Sequence, residues 1–423
     1  MDAGDQTAPL TRAPAGLQAG GRACAEAGPG PVVGGSAQPR PDWAHGGFGV
    51  YIHWPFCQAK CPYCDFNSHV QRTVDHGAWR AALLAELGHM RALSGPRRAQ
   101  TVFFGGGTPS LMEPATVAAL IEAVDQAWGL DPDAEITLEA NPTSVEAARL
   151  QGFRAAGVNR VSMGIQALND KDLRALGRMH STSEALAAFD IARATFDRVS
   201  FDLIYARMGQ SPDAWEAELR RALGLAADHL SLYQLTIEDG TRFGDMFARG
   251  RLTIPPDGHA ADMYALTQEM AAAAGLPAYE VSNHAAPGAE SRHNLIYWRM
   301  GDYAGIGPGA HGRITGPDGI TRATETVRDP ARWLNAAQSD GHGLAAAEPV
   351  PADERATEYL MMALRLAEGA DPARYQALAG APLDPARLAD LEASGHVVTE
   401  GGRIAATSQG RMVLNAVLHH LLV

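Results

Sequence analysis

At 423 residues, with 46% hydrophobic and 20% charged residues, the chain has an ordinary globular composition and room for one large domain and a small one. Its 35 basic against 48 acidic residues, a formal charge of −13, argue against nucleic acid as a partner, because phosphate binding draws on a Lys and Arg surplus. No apolar run approaches the roughly 20 residues of a membrane span, which leaves only peripheral membrane contact open. Four cysteines, three of them clustered, suit a reducing cytoplasm rather than a disulfide framework.

Residues 1–46 hold 10 Ala, 9 Gly and 6 Pro with little aliphatic content. Such a stretch buries too little apolar surface to offset its ordering entropy, so a disordered N-terminal extension is expected. It lacks the basic start and apolar run of a secretory signal.

From Phe48 the pattern alternates strand and helix. Strands are expected at Phe48–Ile52, Thr101–Phe104, Glu135–Glu139, Arg160–Ile165, Val199–Tyr205 and Leu230–Leu235, with a last short one at Pro277–Val281. Between them lie helical stripes. Asp75 can cap a helix whose apolar face is Trp79, Leu83, Leu87 and Met90, and Pro114 opens another that Gly129 closes. Further helices are expected near Val145–Ala156, within Asp170–Ala194, from Ser211-Pro212, and near Gly258–Ala274. An irregular, Gly-rich stretch should run to about Arg313.

Six such parallel units predict an α/β fold, a partial TIM-like (β/α)6 barrel, over residues 47–315. Residues 316–350 read as a linker. Residues 351–423, with a helix over Ala352–Glu368, a hairpin at Val397–Thr399 and Arg403–Ala405, and a terminal helix over Gly410–Leu422, read as a small α+β domain of winged-helix type.

Cys57, Cys61 and Cys64 stand at C-x3-C-x2-C spacing directly after the first strand. Thiolates are the usual ligands of iron–sulfur clusters, and three of them leave one iron of a four-iron cluster open. Two plainer readings compete. Cys61-Pro62-Tyr63-Cys64 alone could be a redox pair, and a zinc site would need His53 or His69 as fourth ligand. Gly105-Gly106-Gly107-Thr108-Pro109 ends the second strand; it lacks the Lys-Ser/Thr of a phosphate loop, so it reads as a close backbone approach to a ligand or a plain turn. Glu139, Gln166, Asp202 and Gln234 interrupt or end apolar strands, where barrels gather functional groups.

The segments Tyr51–Cys57 and Cys61–Asn67 resemble the radical S-adenosylmethionine (SAM) superfamily, in the branch that contains the oxygen-independent coproporphyrinogen III oxidase HemN and related heme chaperones. The resemblance implies a [4Fe-4S] cluster on Cys57, Cys61 and Cys64. SAM would occupy the open iron and be split to a 5′-deoxyadenosyl radical. It further implies SAM contacts at Tyr51, Tyr63, Gly106, Gly107, Thr108 and Glu139, with Gln166, Arg178 and Asp202 at positions that bind a second SAM in the oxidase.

His293-Asn294-Leu295-Ile296-Tyr297-Trp298 matches the H-N-x-x-Y-W motif of the chaperone group. There His293, Asn294, Tyr297 and Trp298 would bind heme; on the residues alone, a buried strand with a bonded His and two packing aromatics competes. Phe66 stands where the oxidase has a further cysteine, which turns the expectation from decarboxylation towards heme trafficking. Heme, a heme-acceptor protein and an electron donor would be the partners. The alternatives are a coproporphyrinogen oxidase and a non-catalytic metal-binding scaffold.

Overall fold

The computed structural model describes residues 41–423. Most of the expected extension over 1–46 lies outside that range, but Asp42–His45, within it, forms a 3-10 turn. Asp42 receives hydrogen bonds from Arg355 (2.8 Å) and Arg374 (2.8 Å), so this turn is pinned to the C-terminal region.

The strands, in chain order, are β1 (Phe48–Trp54), β2 (Phe56–Cys57), β3 (His69–Val70), β4 (Ala99–Gly106), β5 (Leu130–Ala140), β6 (Arg160–Gln166), β7 (Arg198–Tyr205), β8 (His229–Gln234), β9 (Asn283–Ala285), β10 (Asp302–Ile306), β11 (His311–Thr315), β12 (Thr321–Thr326), β13 (Leu344–Pro349), β14 (Val397–Glu400) and β15 (Arg403–Ala406). Eleven of them make one open sheet in the order β13-β12-β11-β10-β1-β4-β5-β6-β7-β8-β9. The run from β10 to β8 is parallel, as helix-linked strands require, and its outer strands are antiparallel. Phe48, Val50, Ile52, Val102, Phe104, Leu138, Val161, Phe201 and Leu203 are fully buried, each adding roughly 1.5–3 kcal/mol.

All six expected parallel strands form, and a seventh, β10, pairs with β1. The segment Pro277–Val281 is not a strand. Proline lacks the ladder N–H, and the Glu280 carboxylate accepts from Ser282 N (3.0 Å) and Asn283 Nδ2 (2.6 Å), bending the chain into a tight turn before β9. The stretch to Arg313 is not irregular either. It holds the helix Arg292–Trp298, started by the Ser291 side chain, followed by β10 and β11. Residues 316–350, read as a linker, carry β12 and β13, both paired into the sheet, with the helix Pro330–Asp340 between them.

Towards the C-terminus, Tyr359, Leu360, Leu364, Val397, Ile404, Val417 and Leu418 form a second core around the β14–β15 hairpin. The helix that starts at Ala352 ends at Ala363, short of Glu368, and the terminal helix is split at Val413 into Ser408–Met412 and Leu414–Leu422. Among the described residues, no helix is long and apolar enough to cross a membrane.

Candidate functional site

The cysteine loop leaves β1 over a stack of aromatic rings. Trp54, Phe56 and Trp79 meet edge to face at 4.8–5.7 Å, and Trp79 stacks on Trp333 at 5.1 Å. This floor fixes Phe56–Cys57, whose short parallel pairing with His69–Val70 closes the loop's neck. Asn67 fastens the far side: its Nδ2 donates to the carbonyls of Pro308 (2.8 Å) and Arg328 (2.9 Å). Gly307 and Gly309 are required at this seam, because a Cβ on Gly307 would stand 2.4 Å from the His53 carbonyl and one on Gly309 would stand 2.5 Å from Asn67 Nδ2. Both also hold positive φ angles.

The three cysteines line one cleft of about 750 Å³ at the C-terminal ends of the parallel strands, together with Tyr63, Gly106, Gly107, Thr108, Glu139, Gln166, Arg178 and Asp202. Eleven of the twelve positions expected to contact the cluster or SAM thus fall together, while Tyr51 does not line this cleft. Each sulfur has a polar neighbour. Thr108 Oγ1 donates to Cys57 Sγ (3.3 Å), Arg178 donates to Cys61 Sγ (3.3 Å), and Cys64 Sγ lies 3.6 Å from Ser68 Oγ. Burial pushes the Cys57 thiol up despite the Thr108 hydrogen bond, a penalty that a metal cation would reverse. Among the described residues no three His, Cys, Asp or Glu side chains gather tightly enough to share a single ion. A donor set of three thiolates, each supported separately, fits a cluster in which each sulfur takes its own iron.

The glycines work sterically. A Cβ on Gly106 (φ 112°) would strike the His53 ring at 2.6 Å, and one on Gly107 would meet the Pro55 carbonyl at 2.8 Å. Gln166 holds φ 73° at the frayed end of β6, a left-handed conformation that costs a non-glycine residue energy and that often marks functional positions. Burial, and then the charge of Asp202, push Glu139 up to about 8 against the Gly106 N–H and Arg160. Burial pushes Asp202 up to about 6 against Ser231, Arg160, Ser162 and Arg178. Two reluctant carboxylates facing one cleft favour a cationic occupant.

Arg178, Asn141 and Thr108 form a relay not foreseen from the sequence. The Arg178 guanidinium holds Asn141 Oδ1 (2.5 Å) and the Gly164 carbonyl (2.9 Å), and Asn141 Nδ2 donates to Thr108 Oγ1 (3.1 Å). Asn141 follows β5 immediately, so its strand-end position was the available signal.

A second, larger cleft of about 1,410 Å³ shares Phe66, Gly106 and Glu139 with the first. It is lined by Tyr51, Tyr297, Trp298 and Tyr303 and bounded by Glu358 and Met362 of the helix Ala352–Ala363. Tyr297 and Trp298 of the HNxxYW segment reach it; His293 and Asn294 do not. His293 is 1% exposed, with Nδ1 2.6 Å from Thr101 Oγ1 and Nε2 2.6 Å from the Tyr297 hydroxyl. Burial, with the Arg160 charge behind it, lowers its pKa to about 3, so it is neutral. Asn294 Nδ2 donates to the Tyr279 hydroxyl (3.2 Å). Since His293 ties β4 to the helix Arg292–Trp298, His293→Ala is expected to cost about 2–4 kcal/mol through its cavity and two orphaned hydroxyls, read by urea unfolding.

Residues 51–222 match the family model of the radical SAM superfamily, and residues 350–413 match that of the HemN C-terminal domain. The fold aligns with that of coproporphyrinogen III oxidase (HemN) from Escherichia coli at a TM-score of 0.73, covering 89% of this chain and 90% of that one at 23% identity. An open parallel sheet with a three-cysteine loop after its first strand and a HemN-type C-terminal unit defines a radical SAM protein. Heme chaperone HemW of Escherichia coli is 38% identical over 88% of this chain and 97% of its own length. The mouse mitochondrial radical S-adenosyl methionine domain-containing protein 1 is 44% identical over 80% and 77%. HemW of Bacillus subtilis is 33% identical over 87% and 97%. The chain belongs to the HemW family.

Proposed function

We propose that this protein binds heme and passes it to acceptor proteins, with a [4Fe-4S] cluster on Cys57, Cys61 and Cys64 and SAM beside it. The observation that carries this reading is the pair of adjoining clefts: one brings three thiolates together, and the other is wide, aromatic and walled by the C-terminal unit. Such a cluster, when bound, supplies one electron to SAM at its open iron. The chain's own part is to orient and tune. Thr108 and Arg178 hydrogen-bond thiolate sulfurs, which raises a cluster's reduction potential. Glu139 and Asp202 would receive the cationic methionyl end or the ribose, and Gly106 and Gly107 admit the ligand backbone-close. Tyr63 and Gln166 would border the adenosyl moiety.

Tyr297 and Trp298 would offer faces to the porphyrin, with His293 and Asn294 holding that helix in place from behind. An electron donor and a heme acceptor are the partners this reading requires, and a reducing compartment such as the cytoplasm suits its free thiols. The shared edge at Glu139 also permits the oxidase reading, because it would set a porphyrinogen side chain beside the first cleft. Hemin titration, paired with an anaerobic assay for protoporphyrinogen formation, separates the two. The chaperone reading expects stoichiometric heme binding without turnover, and steady turnover of coproporphyrinogen would replace it.

Glu139 also gives a pH signature in the ligand-free protein. Its folded pKa of about 8 lies above the ordinary carboxyl value near 4.5, so the native state holds a proton that the unfolded chain has lost between those values. Stability from this group is complete below that window and declines as pH rises through it. Glu139→Gln is therefore expected to match wild type near pH 5 and exceed it by on the order of 2 kcal/mol near pH 8, measured by urea unfolding at both values.

A further inference from the structure

Two histidines line the second cleft, and of these only His311 has a ring with no hydrogen-bond partner among the described residues. His53 lines the cleft, but its Nδ1 lies 3.0 Å from the Tyr51 hydroxyl and its Nε2 2.9 Å from the Asn67 carbonyl. His293 stands behind Tyr297, with both nitrogens taken. His311 is exposed and lines the cleft, and its ring makes no hydrogen bond or ion pair among the described residues.

The position of His311 is fixed by the fold. It opens β11 and pairs with Glu325 of β12, while a Cβ on Gly305 would stand 2.0 Å from its carbonyl oxygen, so only glycine lets β10 pass so close. Two residues on, strand alternation brings Arg313 to the same face, and it lines the same cleft. Arg313 is held by Glu358 (2.7 Å), whereas Arg328, exposed at the rim, has no ion-pair partner among the described residues. Burial raises the phenol pKa values of Tyr51, Tyr297 and Tyr303, which keeps those hydroxyls protonated and poor iron ligands. The thioethers of Met300 and Met362 would supplement an imidazole rather than replace it, as in Met/His-ligated cytochromes.

We propose that heme seats in this second cleft with the His311 imidazole as its protein ligand to iron and Arg328 meeting a propionate. This rests on the heme-binding reading above. It moves the ligand from the motif histidine to a strand-end histidine near the C-terminal unit.

The test is hemin titration of the full-length protein, followed by Soret absorbance and resonance Raman, for wild type, His311→Ala, His293→Ala and Arg328→Glu. In His311→Ala the expected result is a shifted Soret band and affinity reduced about tenfold or more, with free imidazole restoring the wild-type band. Arg328→Glu should weaken binding several-fold without moving the band. His293→Ala should keep the band while lowering stability. His311 is exposed, so its alanine variant is expected to fold, and circular dichroism with an unchanged cluster content verifies this. An unchanged spectrum in His311→Ala, or loss of the band in His293→Ala alone, overturns the ligand assignment. Failure of the wild type to bind hemin at all would instead remove the heme reading itself.

Discussion

Cys61→Ala, purified and reconstituted without oxygen, is expected to fold and to carry at least about tenfold less iron and sulfide than wild type. Cys61 sits half-exposed on the loop between β2 and β3, where it supports no core packing, so its loss should leave the unfolding midpoint nearly unchanged. What it removes is one of three thiolates and the partner of the Arg178 guanidinium 3.3 Å away. Heme binding should survive, because Cys61 lines the first cleft and not the second. Iron and sulfide at wild-type levels would mean that the cluster has other ligands.

Glu86→Ala is expected to cost on the order of 4 kcal/mol or to prevent folding. Glu86 is completely buried on the helix His76–Ser94. Its carboxylate accepts from Gly307 N (2.6 Å), Gly343 N (2.7 Å) and the Trp333 indole (3.0 Å). Alanine would strand three donors in a dry core and loosen the Gly-rich loop that Asn67 grips from the cysteine side. Burial pushes Glu86 up to about 7, against those three donors. Glu86→Gln, which keeps one acceptor oxygen, should lose less. Differential scanning calorimetry of both variants reads the order, and an alanine variant as stable as wild type would show that the donors find water instead.

The parallel strands were legible because fully buried strands read as short apolar runs separated by helical stripes, and the cysteine loop was legible from spacing alone. Strands β9 to β13 were not. In β10, Asp302–Ile306, the residues Asp302, Ala304 and Gly305 are polar or small, and Asp302 is held by Arg97 (2.6 Å), a contact no local pattern announces. Residues 316–350 looked like a linker because β12 and β13 are rich in Ala and Thr and half exposed. Of the HNxxYW segment, the sequence named the residues but not the division of labour. A helix turns Tyr297 and Trp298 to one cleft and His293 inward to Thr101, a distinction set by tertiary packing. Arg178 was expected at a second SAM; its nearest partners are Cys61, Asn141 and Gly164.

Electron paramagnetic resonance of the anaerobically reconstituted, dithionite-reduced protein, recorded with and without SAM, probes the heart of this account most directly. A spin-half signal of a reduced four-iron cluster whose g-values move when SAM is added is the predicted outcome. A spectrum indifferent to saturating SAM, or no cluster signal from a protein with its three cysteines intact, would contradict it.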